Sequence, residues 1–72
     1  LALDGGEDGL DLIRRFVPRC RERMEQGGAV LLEIGYDQGP AVVELLQRAG
    51  FIDAKVEKDL AGHDRVVSGV AP

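Results

Sequence analysis

Glu33 and Tyr36 are the residues of this chain best placed to do chemistry. Glu33 is the one carboxylate inside the apolar run Ala29 to Ile34, near its end, and Tyr36 opens the polar turn Tyr36 to Gly39 that follows. In open α/β sheets ligands bind beyond the carboxyl ends of the strands, so a carboxylate there can orient a ligand or a neighbouring loop. The competing reading is structural, with Glu33 held by a backbone amide or by Arg65. A tyrosine in such a turn can touch a ligand, although one tyrosine specifies none. The other reactive residues exclude more than they offer. His63 sits beside Asp64 in a turn, with no second ligand at metal spacing and no serine or cysteine nucleophile to pair with it. Cys20, the only cysteine, makes neither an intrachain disulfide nor a zinc cluster. It falls on a helical stripe, where a buried, inert thiol is expected. The segment Asp4 to Asp11 suggests calcium, but an EF-hand loop needs oxygen ligands where this chain has Gly6 and Arg15. Gly35 and Gly39 do not make a G-x-G-x-x-G dinucleotide signature, and no phosphate-binding P-loop occurs.

Composition narrows the class further. With 72 residues, 44% hydrophobic and 31% charged, the chain is at most one small globular domain. No apolar run approaches the roughly 20 residues that cross a bilayer, and no signal-peptide pattern opens the chain. The cytoplasm is the expected location. The net charge of −4 argues against nucleic acid, whose binders need a basic surface for phosphate. Arg14, Arg15, Arg19, Arg21 and Arg23 are interleaved with Asp11, Glu22 and Glu25, as on a solvated helix face with ion pairs. The chain opens on Leu1 rather than Met, which gives the expectation that it is a piece of something longer.

The elements that must position these residues follow from periodicity. Residues 1 to 9, rich in glycine and acids, read as a loop, with Asp8 as a helix cap and Asp11 in the first turn. Leu10, Ile13, Val17, Cys20 and Met24 recur at helical spacing, widened by Phe16. Pro18 should kink or split that helix near Val17, and Gly27 and Gly28 end it. Ala29 to Ile34 is apolar on both parities, which predicts an interior strand covered on both faces. Pro40 suits the start of a second helix, carried by Val42, Val43, Leu45, Leu46 and Ala49. Gly50 is its left-handed cap, and Phe51 folds back on the last turn. Ala54 to Asp59 alternates as a strand with one wet face, Leu60 to Asp64 turns on Gly62, and Arg65 to Val70 is a β-branched strand. The crossover through the second helix is right-handed. With the last strand inserted antiparallel between the other two, the prediction is an α/β fold with a mixed three-stranded sheet and both helices on one face. The outer edge of Ala29 to Ile34 is expected to be open and a face of the sheet uncovered, and the two invite self-association, most simply a homodimer.

Three segments, LALDGGEDGLDLIRR (Leu1 to Arg15), LLEIGYDQG (Leu31 to Gly39) and KDLAGHDRVVSG (Lys58 to Gly69), resemble, in order and spacing, the C-terminal part of the HemK family of peptide chain release factor glutamine methyltransferases. The resemblance implies a class I, Rossmann-like methyltransferase fold. It further implies methyl transfer from S-adenosylmethionine to the side-chain amide of the glutamine in the GGQ loop of release factors. The family holds its cofactor on a glycine-rich turn after its first strand, and its substrate amide on an Asn-Pro-Pro-Tyr motif. This chain has no asparagine and no such cofactor loop. It therefore carries over no catalytic, cofactor-binding or metal-binding residue. The implied domain is residues 1 to 72 as one partial domain, without the cofactor-binding part and inactive alone. Glu33 and Tyr36 are then structural residues on the site side. The ribosomal-protein glutamine methyltransferases are the runner-up; they share a DGLDL-like helix start but resemble the chain less after the strand.

Overall fold

The computed structural model describes residues 2–4 and 9–72. The elements run β1 (Ala2–Asp4), α1 (Gly9–Arg23), β2 (Ala29–Glu33), α2 (Gly39–Arg48), β3 (Ile52–Lys58) and β4 (Asp64–Val70). The sheet order is β1-β2-β4-β3. β4 lies between β2 and β3 and is antiparallel to both, as the sequence predicts. No helix among the described residues is long and apolar enough to cross a membrane.

Three expectations are corrected. The segment read as a loop contains β1, which pairs parallel with β2 through Ala2 opposite Leu31 and Asp4 opposite Glu33. The glycines and all three acids of these nine residues follow Leu3, so averaging over nine residues concealed a short apolar stretch. The sheet is accordingly four-stranded, and the β2 edge expected to be open for a second copy is occupied. Asp8, read as a cap, lies outside the described residues. Second, Pro18 lies inside one continuous α1. It sits on the exposed side of the helix beside exposed Arg14 and Arg15, where the carbonyl it leaves without an N–H partner can be hydrated. Third, β2 is covered on one face only. Val30 and Leu32 are wholly buried, while Leu31 is 44% exposed.

The buried face explains the arrangement. Ile13 and Val17 of α1, Val42 and Leu46 of α2, Val30 and Leu32 of β2 and Val67 of β4 form one cluster. Both helices therefore lie on the same side of the sheet. The α1 stripe is the predicted one, completed by buried Cys20, whose thiol donates to the Met24 sulfur at 3.3 Å. Burial pushes the Cys20 thiol above its ordinary pKa, which suits an inert packing role. Gly69 lets β4 pass close under the helix side, since a Cβ there would stand 3.2 Å from Phe51 and 3.3 Å from Leu46.

α2 ends in a Schellman motif. Gly50 has φ +94°, its N–H donates to the Gln47 carbonyl, and the Phe51 N–H donates to the Leu46 carbonyl, each at 3.0 Å. Phe51 is thereby buried under the helix it follows, with the Arg21 guanidinium 5.9 Å from its ring centroid. β3 begins at Ile52, earlier than alternation predicts. Its pairing with β4 is irregular between Ile52 and Lys55, where Asp53 takes φ +54°. That break disrupts the period-two pattern on which strand reading depends.

Candidate functional site

Two loops meet at the carboxyl end of β2. The first is the turn out of β2. The strand's pairing continues one residue past Glu33, where the Ile34 N–H donates to the Arg65 carbonyl at 3.0 Å. The chain then turns over Gly35 to Gln38. The Gln38 N–H donates to the Gly35 carbonyl at 3.0 Å, and the Gly35 N–H donates to Gln38 Oε1 at 2.8 Å. Gln38 is buried and occupies the N-cap position of α2. This reciprocal pair fixes the turn and presents Tyr36 outward, 74% exposed.

The second loop is the tip of the β3–β4 hairpin. The Asp59 N–H donates to the His63 carbonyl at 2.8 Å, and the Gly62 N–H donates to the Asp59 carbonyl at 3.0 Å. Asp59 Oδ1 accepts from the N–H groups of Ala61 at 2.9 Å and His63 at 3.0 Å. The His63 bond is the main cause holding the Asp59 carboxyl below the usual aspartate range. Gly62 takes φ +86°, which a side chain would oppose. His63 Nδ1 stands 4.0 Å from Asp59 Oδ2. Its ring lies 6.3 Å from the Tyr36 ring, tilted by 53°, which brings the two loops together. Leu60 is fully exposed in the same loop.

Asp64, at the start of β4, lies close against the start of α2. Its Oδ1 accepts from Lys58 Nζ at 2.7 Å. Its Oδ2 would be 2.6 Å from any Cβ at Gly39, so only glycine allows this approach. A carboxylate beside a helix N-terminus is favoured by the helix dipole.

The structure therefore brings Tyr36 and His63 together and leaves Glu33 apart. Glu33 is exposed at the end of β2 and pairs in register with Val66. Arg65 alternates to the opposite face of β4 from Val66, and among the described residues no ion pair joins Glu33 to Arg65. Arg65 thus does not serve as the structural partner considered for Glu33. Sequence reading missed Asp59 and Asp64. Asp59 followed by Gly62 is a local turn signal that was available. The approach of Asp64 to Gly39 is a long-range contact with no sequence signature.

Among the described residues no cluster of His, Cys, Asp and Glu could hold a metal. A groove of about 400 Å³ is lined by Phe16, Arg19, Cys20, Arg23 and Met24 of α1 and its C-terminal extension. It contains none of the loop residues described above.

No family model matches the chain. It is 49% identical over 70 residues to a release factor glutamine methyltransferase of Caulobacter vibrioides, covering 97% of this chain and 24% of that protein. A release factor glutamine methyltransferase of Geobacter sulfurreducens is 44% identical over 68 residues, with 24% of its length covered. Among solved structures, a release factor-specific protein-(glutamine-N5) methyltransferase of Alicyclobacillus acidocaldarius aligns with a TM-score of 0.70 at 33% identity. That alignment covers 90% of this chain and 42% of the other. The fold is accordingly part of a class I methyltransferase sheet, and the chain spans about a quarter of the length of the curated relatives it matches. By sequence and by fold, the chain is homologous to one segment of the release factor glutamine methyltransferases.

Proposed function

We propose that this chain is the C-terminal part of a catalytic domain that methylates the glutamine side-chain amide of peptide chain release factors in the cytoplasm. S-adenosylmethionine is the methyl donor that the family resemblance implies. The observation that carries the reading is the 49% identity across 97% of the chain to a release factor enzyme, joined to the structural match with an enzyme of the same specificity. The ribosomal-protein variant is not favoured, since the relatives matched are release factor enzymes.

The turn after β2 does not fit an adenosyl group. It is closed on itself by Gln38 and packed at Gly39 by Asp64, so no cradle remains and none of these residues is assigned to the cofactor. The chain's part in the reaction is positional. An amide nitrogen is a poor nucleophile, and holding it in line with the methyl group is where rate is gained. The end of β2 at Glu33 and the backbone of the turn closed by Gln38 form part of the wall at the site end of the sheet, and the chemistry belongs to residues outside this chain.

A segment exchange tests the proposal. The matching stretch of the Caulobacter vibrioides enzyme is replaced by this chain, and methylation of a purified release factor is read by peptide mass. Methylation at the glutamine is the expected result; a folded exchange protein that binds S-adenosylmethionine and transfers nothing overturns the proposal. In calorimetry the 72-residue chain alone is expected to give no saturable binding of S-adenosylmethionine.

Self-association of the chain alone is a second reading, favoured by one observation. Leu31 and Ile52 stand 44% and 48% exposed on the sheet face away from the helices.

A further inference from the structure

Two large apolar side chains stand bare at the site end of the sheet: Tyr36, 74% exposed, and Leu60, wholly exposed. Neither sits on loose backbone. The Tyr36 turn is closed by the reciprocal Gly35–Gln38 bonds. The Leu60 loop is closed by Asp59, which engages the backbone of Ala61, Gly62 and His63. The Tyr36 and His63 rings, 6.3 Å apart, bring the two loops into one lip. Apolar groups on backbone that is already ordered lose little further entropy when a partner covers them. Aromatic anchors of this kind carry a large share of binding energy at interfaces.

The charges around the lip indicate what covers it. Lys58 and Asp64 neutralise each other at 2.7 Å. Asp37, next but one before Gly39 in the Tyr36 turn, is an exposed carboxylate, and a second carboxylate, Asp59, closes the Leu60 loop. Against these stands Arg65. The surroundings are acidic on balance, and complementary potentials select and orient a cationic partner.

We propose that Tyr36, Leu60 and His63 form a docking lip for the protein substrate, seating a loop of the release factor that has apolar contacts and cationic flanks. This rests on the methyltransferase reading above. It adds a surface that selects the protein substrate, separate from the residues that hold the reacting glutamine.

Two measurements test it. In the first, the isotopically labelled chain is titrated with purified, unmethylated release factor and followed by NMR. Shifts concentrated in residues 35–38 and 59–64 are expected. Tyr36→Ala and Leu60→Ser should each weaken binding at least fivefold, with Glu22→Gln, on the exposed side of α1, unchanged. Shifts elsewhere, unchanged affinity in both variants, or no binding at millimolar release factor overturns the lip. In the second, the same substitutions are made in the exchange enzyme. They should raise KM for release factor at least fivefold and leave kcat and KM for S-adenosylmethionine unchanged. An exchange enzyme that methylates with unaltered KM in both variants defeats the lip alone. One that transfers no methyl group counts against the methyltransferase reading, and the lip is then decided by the titration.

Discussion

Asp59 does more at the hairpin tip than its exposure suggests. Its carboxylate accepts two backbone N–H groups, and these bonds favour the ionised form. The folded pKa is therefore depressed, so the contribution to loop stability is complete above the unfolded value of about 3.9. It is lost as pH falls through the lower folded value. NMR titration of the Ala61 and His63 amides should show a midpoint below the ordinary aspartate range. Asp59→Asn keeps an acceptor oxygen and should flatten that titration. A midpoint at or above the ordinary value would show that the carboxylate does not organise the loop. At Gly39 the limit is steric. A methyl group there meets Asp64 Oδ2 at 2.6 Å and Val56 Cγ2 at 3.3 Å, and overpacking of this kind costs about 1–3 kcal/mol. Gly39→Ala should lower stability in urea denaturation by that amount, although alanine is otherwise the better helix residue. An unchanged midpoint would mean that Asp64 swings away without cost.

At the scale of elements, α2 was legible from end to end because every signal it needs is local. Pro40 lies in the first turn, the stripe runs through Val42 and Leu46, and Gly50 closes the helix with φ +94°. Gly50→Ala should cost about 1 kcal/mol or somewhat more, the penalty of a Cβ in the left-handed region. α1 was legible in its buried stripe but not at Pro18. Loss of one hydrogen bond is tolerated where the freed carbonyl can be hydrated, and tertiary burial of Ile13, Val17 and Cys20 holds the helix through it. Pro18→Ala should therefore raise stability, by as much as about 3 kcal/mol on the propensity difference. A loss of stability on the same urea curve would show that the proline is needed for packing. β1 and the first residues of β3 were not legible. A three-residue strand has too little sequence for a period, and the irregularity at Asp53 breaks the alternation of β3. The candidate site divides in the same way. Tyr36 and Glu33 announce themselves because an apolar run stops abruptly beside them. The pairing of Tyr36 with His63, and of Asp64 with Gly39, exists only once β4 has been threaded between β2 and β3.

For the whole molecule, the deciding fact is that the sheet is dressed on one side. Sequence alone put cover on both faces of β2, because its run is apolar on both parities, yet only Val30 and Leu32 are buried under the helices. The other face carries Ala29 and Leu31 of β2, Val66 and Val70 of β4 and Ile52 of β3, with charged Glu33, Lys55 and Glu57 among them. The same apolar parity has opposite consequences on the two faces. Leu32→Ala should cost about 2–5 kcal/mol, as for any filled core position. Leu31→Ala should cost far less in the isolated chain, where its side chain is 44% exposed. Exposed apolar surface of this kind favours association, and with β1 laid along β2 the face, rather than the β2 edge, is left to seat the self-association proposed above. Sedimentation of the chain should show concentration-dependent association that Leu31→Lys and Ile52→Lys together abolish, since each places a charge on the surface to be buried. If association persists unchanged in the double variant, the contact runs instead through the outer edges of β1 or β3, where main-chain groups rather than side chains would make the pairing.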